Sequence, residues 1–230
     1  NPEKLEELKA LWFAEAAKYN GLPLSDLNIL ETMARSRPYL AGERASYTYY
    51  PDCADVGIGA AAEIGGRSFS VLAEVIIDST GAEGVLFKQG GAHGGHVLFI
   101  QDGRLHYVYN FLGIRPEQEF VSRQLTPGKH TLGMEFVRKE SGQYGESLGT
   151  TTLYVDGKAV DTGPMRTQLG KFTLAGDGLC VGYDSGDSVS DQYQNPGAFT
   201  GGSIQAVVID VSNETFVDLQ REAAAALARD

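Results

Sequence analysis

Gly84-Val85-Leu86-Phe87, followed by Val97-Leu98-Phe99-Ile100-Gln101-Asp102-Gly103-Arg104-Leu105-His106-Tyr107-Val108-Tyr109-Asn110-Phe111-Leu112, is the stretch that decides the fold. Asp102-Gly103 between apolar runs is a strong hairpin signal, because both central residues of a tight type I′ turn need positive φ. After the turn, Leu105, Tyr107, Tyr109 and Phe111 share one face, while His106, Val108 and Asn110 share the other. This spacing predicts a half-buried antiparallel strand, and the passage as a whole predicts a β-sheet domain.

The pattern continues on both sides. Phe69, Val71, Ala73, Val75 and Ile77 alternate, as do Leu132, Met134 and Phe136, and Leu153 and Val155 lead into a second turn at Asp156-Gly157. The β pattern dominates from Tyr47 onward, with further strands expected at 118–124, 171–175, 178–183 and 204–211. The 29 Gly, 11 Tyr and 10 Phe, set against 21% charged residues, favour short strands and tight turns over a helical bundle. The 230 residues suffice for one full core. The expected fold is therefore all-β, a two-sheet antiparallel sandwich of jelly-roll type.

Helices are expected at both ends. Asn1-Pro2-Glu3 reads as N-cap, first-turn Pro and dipole-favoured acid, and Leu5, Leu8, Trp12, Ala16 and Tyr19 recur at helical spacing until Asn20-Gly21 stops the run. Residues 21–45, with Pro23, Pro38 and Gly42, read as a connector with a helical turn near Leu27 to Met33. Asp218 to Asp230 is Ala-, Leu-, Glu- and Arg-rich and reads as helix. The expected organisation is a helix and connector over 1–45 and a sandwich with its terminal helix over 46–230.

A net charge of −11 argues against nucleic acid and anionic membrane surfaces, since the densest basic group, Arg35, Arg37 and Arg44, is short and interrupted. No apolar run approaches a membrane span, and Asn-Pro-Glu-Lys is not a secretory signal. The first residue is not Met, so a fragment or processed product is expected and the compartment stays open, with the cytoplasm slightly favoured. Cys53 and Cys180 are too few for a disulfide scaffold and lack a Cys-x-x-Cys partner, so both are expected to be ordinary, at least partly buried thiols.

Candidate chemistry is sparse. The Glu-x-Asp-x-x-Glu pattern of many sandwich glycosidases is absent: Glu74 precedes Asp78 at the wrong offset, and Glu135 and Glu140 have no Asp between them. His93, His96 and His106 are three imidazoles of the kind that ligate zinc, but no carboxylate or Cys completes the set at a recognisable spacing. Asp184, Asp187 and Asp191 lie in a Ser- and Gly-rich segment dense in the oxygens Ca²⁺ prefers, without the spacing of an EF-hand; the same residues also cap turns without metal.

Several segments, in order, resemble the C-terminal region of bacterial arylsulfatases, the long mycobacterial type in particular. They are Leu8–Asp26 with its Tyr19-Asn20-Gly21-Leu22-Pro23-Leu24, Tyr47-Thr48-Tyr49-Tyr50-Pro51, Gly81–Leu86, Gln89-Gly90-Gly91, Asp102–Asn110, Pro127–Leu132 and Asp184-Ser185-Gly186. The resemblance implies that the chain is the non-catalytic C-terminal sandwich of such an enzyme, of concanavalin-like or laminin-G-like kind. Its partner would be the sulfatase catalytic domain, where the formylglycine, the Ca²⁺ and their ligands lie, so no catalytic residue and no cofactor carries over to this chain. Ser36-Arg37-Pro38-Tyr39-Leu40 approximates the formylglycine segment, but Leu40 stands where Arg is required. On this reading the module braces the catalytic domain, lines the substrate cleft or supports a homo-oligomer.

The alternative is a lectin-like module for carbohydrate or sulfated glycan, with Tyr107, Tyr109, Asn110, His93 and His96 as candidate ligand contacts. Against that role, Tyr107 and Tyr109 share the apolar strand face with Leu105 and Phe111, which reads as core. An independent concanavalin-like hydrolase has no catalytic pair to stand on.

Overall fold

Both Asp-Gly turns adopt the backbone their sequence requires: φ is 50° at Asp102 and 66° at Gly103, then 52° at Asp156 and 72° at Gly157. The computed structural model describes residues 1–24, 26, 40–79, 81–168 and 178–212. The chain divides into two units, Asn1–Ser36 and Arg37–Asp230.

In the first unit, helix α1 (Pro2–Lys18) begins where Asn1 accepts a hydrogen bond from the Lys4 amide at 3.2 Å. It ends at Asn20, whose φ of 56° breaks the helical path. Leu5, Leu8, Leu11, Trp12 and Phe13 on this helix are each about half exposed.

The second unit holds eleven described strands: β1 (Ser46–Tyr49), β2 (Phe69–Ile77), β3 (Gly84–Gly91), β4 (Gly94–Gln101), β5 (Arg104–Asn110), β6 (Gln118–Gln124), β7 (Gly128–Ser141), β8 (Ser147–Val155), β9 (Lys158–Thr167), β10 (Leu179–Val181) and β11 (Gly202–Asp210). They form two sheets, β1-β11-β2-β7-β8-β9 and β10-β3-β4-β5-β6, and every strand pair is antiparallel. The fold class is the one expected from the sequence. Alternation places Val71, Ala73, Val75, Leu132, Met134 and Phe136 of one sheet against Leu86, Leu98, Ile100, Leu105 and Tyr107 of the other, and all are essentially sealed from solvent. Fully burying one such side chain contributes about 1.5–3 kcal/mol, so this layer dominates the stability of the unit.

One expectation is corrected. β5 is not half-buried, because its outward residues Val108 and Asn110 are also sealed, as are Val97 and Phe99 of β4 and Val85 of β3. Val189 and Tyr193 pack over these residues and form a second apolar cluster on the outer face of the sheet. Both faces are thus covered, which explains why β3 and β4 read as nearly continuous apolar runs.

Strand β9 is an addition that periodicity does not announce. Gly163 and Pro164 interrupt it, and Pro is tolerated because β9 lies at the edge of its sheet, where one side of the ladder has no partner among the described strands. The expected helical turn near 27–33, the strand at 171–175, the C-terminal helix at 218–230 and most of the Ser36–Leu40 segment lie outside the described residues. Among the described residues, no helix is long and apolar enough to cross a membrane.

Candidate functional site

Strand parity separates the histidines. His96 lies on the inner face of β4 with Leu98 and Ile100, whereas His106 is on the outer face of β5 with Val108. His96 Nδ1 sits 2.7 Å from the Tyr107 hydroxyl, its ring packs 4.4 Å from that of Tyr109, and burial lowers its pKa to about 3. It is a neutral core imidazole. His106 instead pairs with Glu119 at 2.9 Å and stacks on Phe99, while His93 is exposed. The three rings do not converge, so the arrangement does not fit zinc.

The candidate ligand contacts Tyr107, Tyr109 and Asn110 are likewise committed to the fold, with at most 3% exposure. The Tyr109 hydroxyl accepts from the Gln168 amide at 2.8 Å and donates to Gln168 Oε1 at 3.2 Å. Asn110 donates to the Val189 carbonyl at 2.7 Å and accepts from the Gly113 amide at 2.8 Å, tying the covering segment to β5. Burial raises the pKa of both tyrosines, so they remain neutral phenols. None of the three presents its side chain to a ligand in solvent.

The three aspartates also part company. Asp184 and Lys88 form an ion pair with a 3.0 Å contact and no exposure of either side chain. The Lys88 ammonium makes no aligned hydrogen bond there, so the contact is Coulombic. Asp184 additionally accepts from the Tyr193 hydroxyl and from the Gly186 amide at 3.2 Å. Asp191 pairs with Arg115 at the surface, and Asp187 is exposed. Lys88 occupies the role a cation would have, and these residues do not fit Ca²⁺. Among the described residues, no group of three or more His, Cys, Asp or Glu is placed to hold a metal ion.

A cleft of about 490 Å³ lies instead at one rim of the sandwich. After β1, which pairs with β11, the chain turns at Pro51-Asp52 and crosses to the other sheet, where Val56 pairs with Leu179 of β10. The crossing segment leaves a hollow lined by Asp52, Cys53, Tyr183, Phe199, Ser203 and Ile204, among others. Tyr183 pins it by donating to the Cys53 carbonyl at 3.1 Å, and the Phe199 amide donates to the Gly182 carbonyl at 2.9 Å. Burial, then the neighbouring Cys180 and Asp55, raise the Tyr183 pKa and keep the phenol protonated. Asp52 holds φ at 61°, both Asp52 and Ser203 are exposed, and the Ser203 hydroxyl accepts from the Gln205 side-chain amide at 3.0 Å. Cys53 is exposed rather than partly buried, a correction to the sequence reading, whereas Cys180 is buried with its Sγ 3.2 Å from the Ser185 hydroxyl.

Sequence reasoning missed this cleft. Its local signals were the Pro51-Asp52 turn dipeptide and the aromatic Tyr183, but only the pairing of β1 with β11 and of β10 with β3 brings them together.

No protein-family model matches the chain, and no curated protein matches it. The arylsulfatase resemblance therefore stands on the sequence motifs alone. Among solved structures, the chain is similar to mouse laminin α1 domains LG4-5, with 16% identity, 74% of this chain and 40% of that chain covered, and a TM-score of 0.37. It is similar to the CBM40 of Ruminococcus gnavus IT-sialidase bound to α2,3-sialyllactose, with 12% identity, 80% and 96% covered, and a TM-score of 0.43. A mutant NanB sialidase from Streptococcus pneumoniae matches at 17% identity over 75% of this chain and 26% of that one, with a TM-score of 0.45. Identity and TM-score are low throughout, and nothing about this chain's chemistry is taken from them.

Proposed function

We propose that this chain is a non-catalytic accessory module that acts by binding, and that its working surface is the rim cleft, which takes a sugar unit. The observation that carries this reading is the cleft itself: about 490 Å³, open to solvent at Asp52 and Ser203, walled by Tyr183 and Phe199. An aromatic ring beside exposed hydroxyl and carboxylate groups suits a polyol, whose C–H face stacks on the ring while its hydroxyls donate to the carboxylate. Of the residues first singled out for chemistry, several support a scaffold role instead: His96 and Asp184 are buried, Asp184 against Lys88, and Tyr107, Tyr109 and Asn110 hydrogen-bond inside the fold.

The enzyme served by the module is read as an arylsulfatase-like sulfate ester hydrolase, on the ordered sequence motifs. Several of those motif residues hold this sandwich together. Tyr49 Oη accepts from the Ala62 amide at 2.9 Å, His130 bridges Asp156 and the Thr126 carbonyl at 2.8 and 2.7 Å, and Asp184 neutralises Lys88. Contacts of this kind serve a fold rather than a reaction. The exposed apolar side chains of α1 suit a helix that docks on a catalytic domain.

The test is calorimetry of the chain against a glycan panel, with and without Ca²⁺, together with turnover of 4-nitrophenyl sulfate. Heat from at least one glycan that is lost in Tyr183→Ala, and no turnover above buffer, are expected. Absence of heat across the panel overturns the binding role, and turnover that survives further purification overturns the non-catalytic one.

A further inference from the structure

We infer that the rim cleft selects neutral sugar units and rejects sulfated ones, an inference that rests on the binding role proposed above. Among the described residues lining the cleft there is no Lys, Arg or His, and the one charged residue is Asp52, which is exposed. A sulfate ester carries a full negative charge and acceptor oxygens only. Its recognition needs a cation, a helix N-terminus or a cluster of free N–H donors. The polar side chains of the lining are a carboxylate, a hydroxyl, a thiol and a phenol whose proton is already donated to the Cys53 carbonyl.

The complementarity is therefore with donors. Sugar hydroxyls donate to Asp52, while a sulfate at the same position meets a like charge at the solvent-exposed mouth, a repulsion that added salt screens. The net charge of −11 adds a repulsive field at longer range. The sugar ring would lie against Tyr183 or Phe199, the two aromatic walls, both partly exposed. If the module serves a sulfate ester hydrolase, it would hold unsulfated units of the substrate or the desulfated product.

The experiment is calorimetric titration of the 230-residue chain with lactose, cellobiose, mannobiose and N-acetyllactosamine, each alongside its 6-O-sulfated form, at low and at high salt. The expected result is binding of at least one neutral disaccharide and affinity about tenfold or more lower for its sulfated form, the gap narrowing with salt. Asp52→Asn keeps a residue that tolerates positive φ and removes the charge, so the two forms should then bind within about threefold of each other. Urea midpoints confirm that the variant folds. Equal binding of both forms by the wild type, or tighter binding of the sulfated form, overturns the selectivity while leaving the binding role intact. A wild-type gap that Asp52→Asn leaves unchanged removes Asp52 as its cause and overturns the inference. No heat from any disaccharide overturns both.

Discussion

Replacing Asp184 by Ala should destabilise the sandwich more than any other single change on its outer face. Asp184 and Lys88 are both sealed from solvent, and their 3.0 Å contact supplies the counter-charge of the ammonium. Removing one partner of a buried ion pair typically costs about 3–5 kcal/mol, because the remaining charge is left uncompensated in a medium that solvates it poorly. The two truncations are not equivalent. In Lys88→Met the carboxylate keeps the Tyr193 hydroxyl and the Gly186 amide as donors, so the loss should fall near the lower end, about 3 kcal/mol. In Asp184→Ala the ammonium has no aligned acceptor, and both donors lose theirs, so the loss should reach about 5 kcal/mol. For a unit of this size, about 2–4 °C of midpoint per kcal/mol translates these into drops of about 6–12 °C and about 10–20 °C. The double variant Lys88→Met, Asp184→Leu removes both charges with little change of volume and should be milder than Asp184→Ala alone. Thermal and urea unfolding followed by tyrosine near-ultraviolet circular dichroism is the assay, since the only Trp lies in α1 and reports on the other unit. A drop under 3 °C for Asp184→Ala, or a double variant as damaged as the single, would refute this electrostatic account.

Acid should weaken the unit partly through His96. The folded state holds this ring neutral down to about pH 3, whereas the unfolded chain binds its proton near pH 6.5. Its contribution is therefore complete above pH 6.5 and falls by about 1.4 kcal/mol per pH unit toward pH 3. Urea midpoints from pH 7 to 4 should show a shallower dependence in His96→Gln, and identical slopes would rule the group out. Two glycines separate backbone strain from collision. Gly157→Ala has open space around the new Cβ and should lose only the left-handed penalty of about 1–2 kcal/mol, whereas Gly84→Ala would drive its Cβ into the Ala198 carbonyl oxygen and should lose about 3 kcal/mol or more. Equal losses in the two variants would contradict the packing at Gly84.

What could be read from sequence was what local pattern encodes. Alternation located β2 and β5, two Asp-Gly pairs located I′ turns, and Tyr107 and Tyr109 were recognisable as core from their neighbours. The covered outer face of the second sheet was not legible, because Val108 and Asn110 look like solvent-face residues until Val189 and Tyr193 are packed on them. The burial of Lys88 was not legible for the same reason: its partner Asp184 lies in a distant segment that only the folded chain brings to it. The rim cleft is the extreme case, since Cys53 and Tyr183 meet across 130 residues through strand pairing that no local spacing reveals.

The most direct measurement is an ¹⁵N–¹H correlation spectrum of the chain titrated with the best-binding neutral disaccharide. Saturable shifts at the amides of Asp52, Gly182, Tyr183, Gly202 and Ser203, abolished in Tyr183→Ala, are the predicted result. Shifts centred elsewhere, or no shifts at millimolar sugar, would contradict the assignment of the cleft.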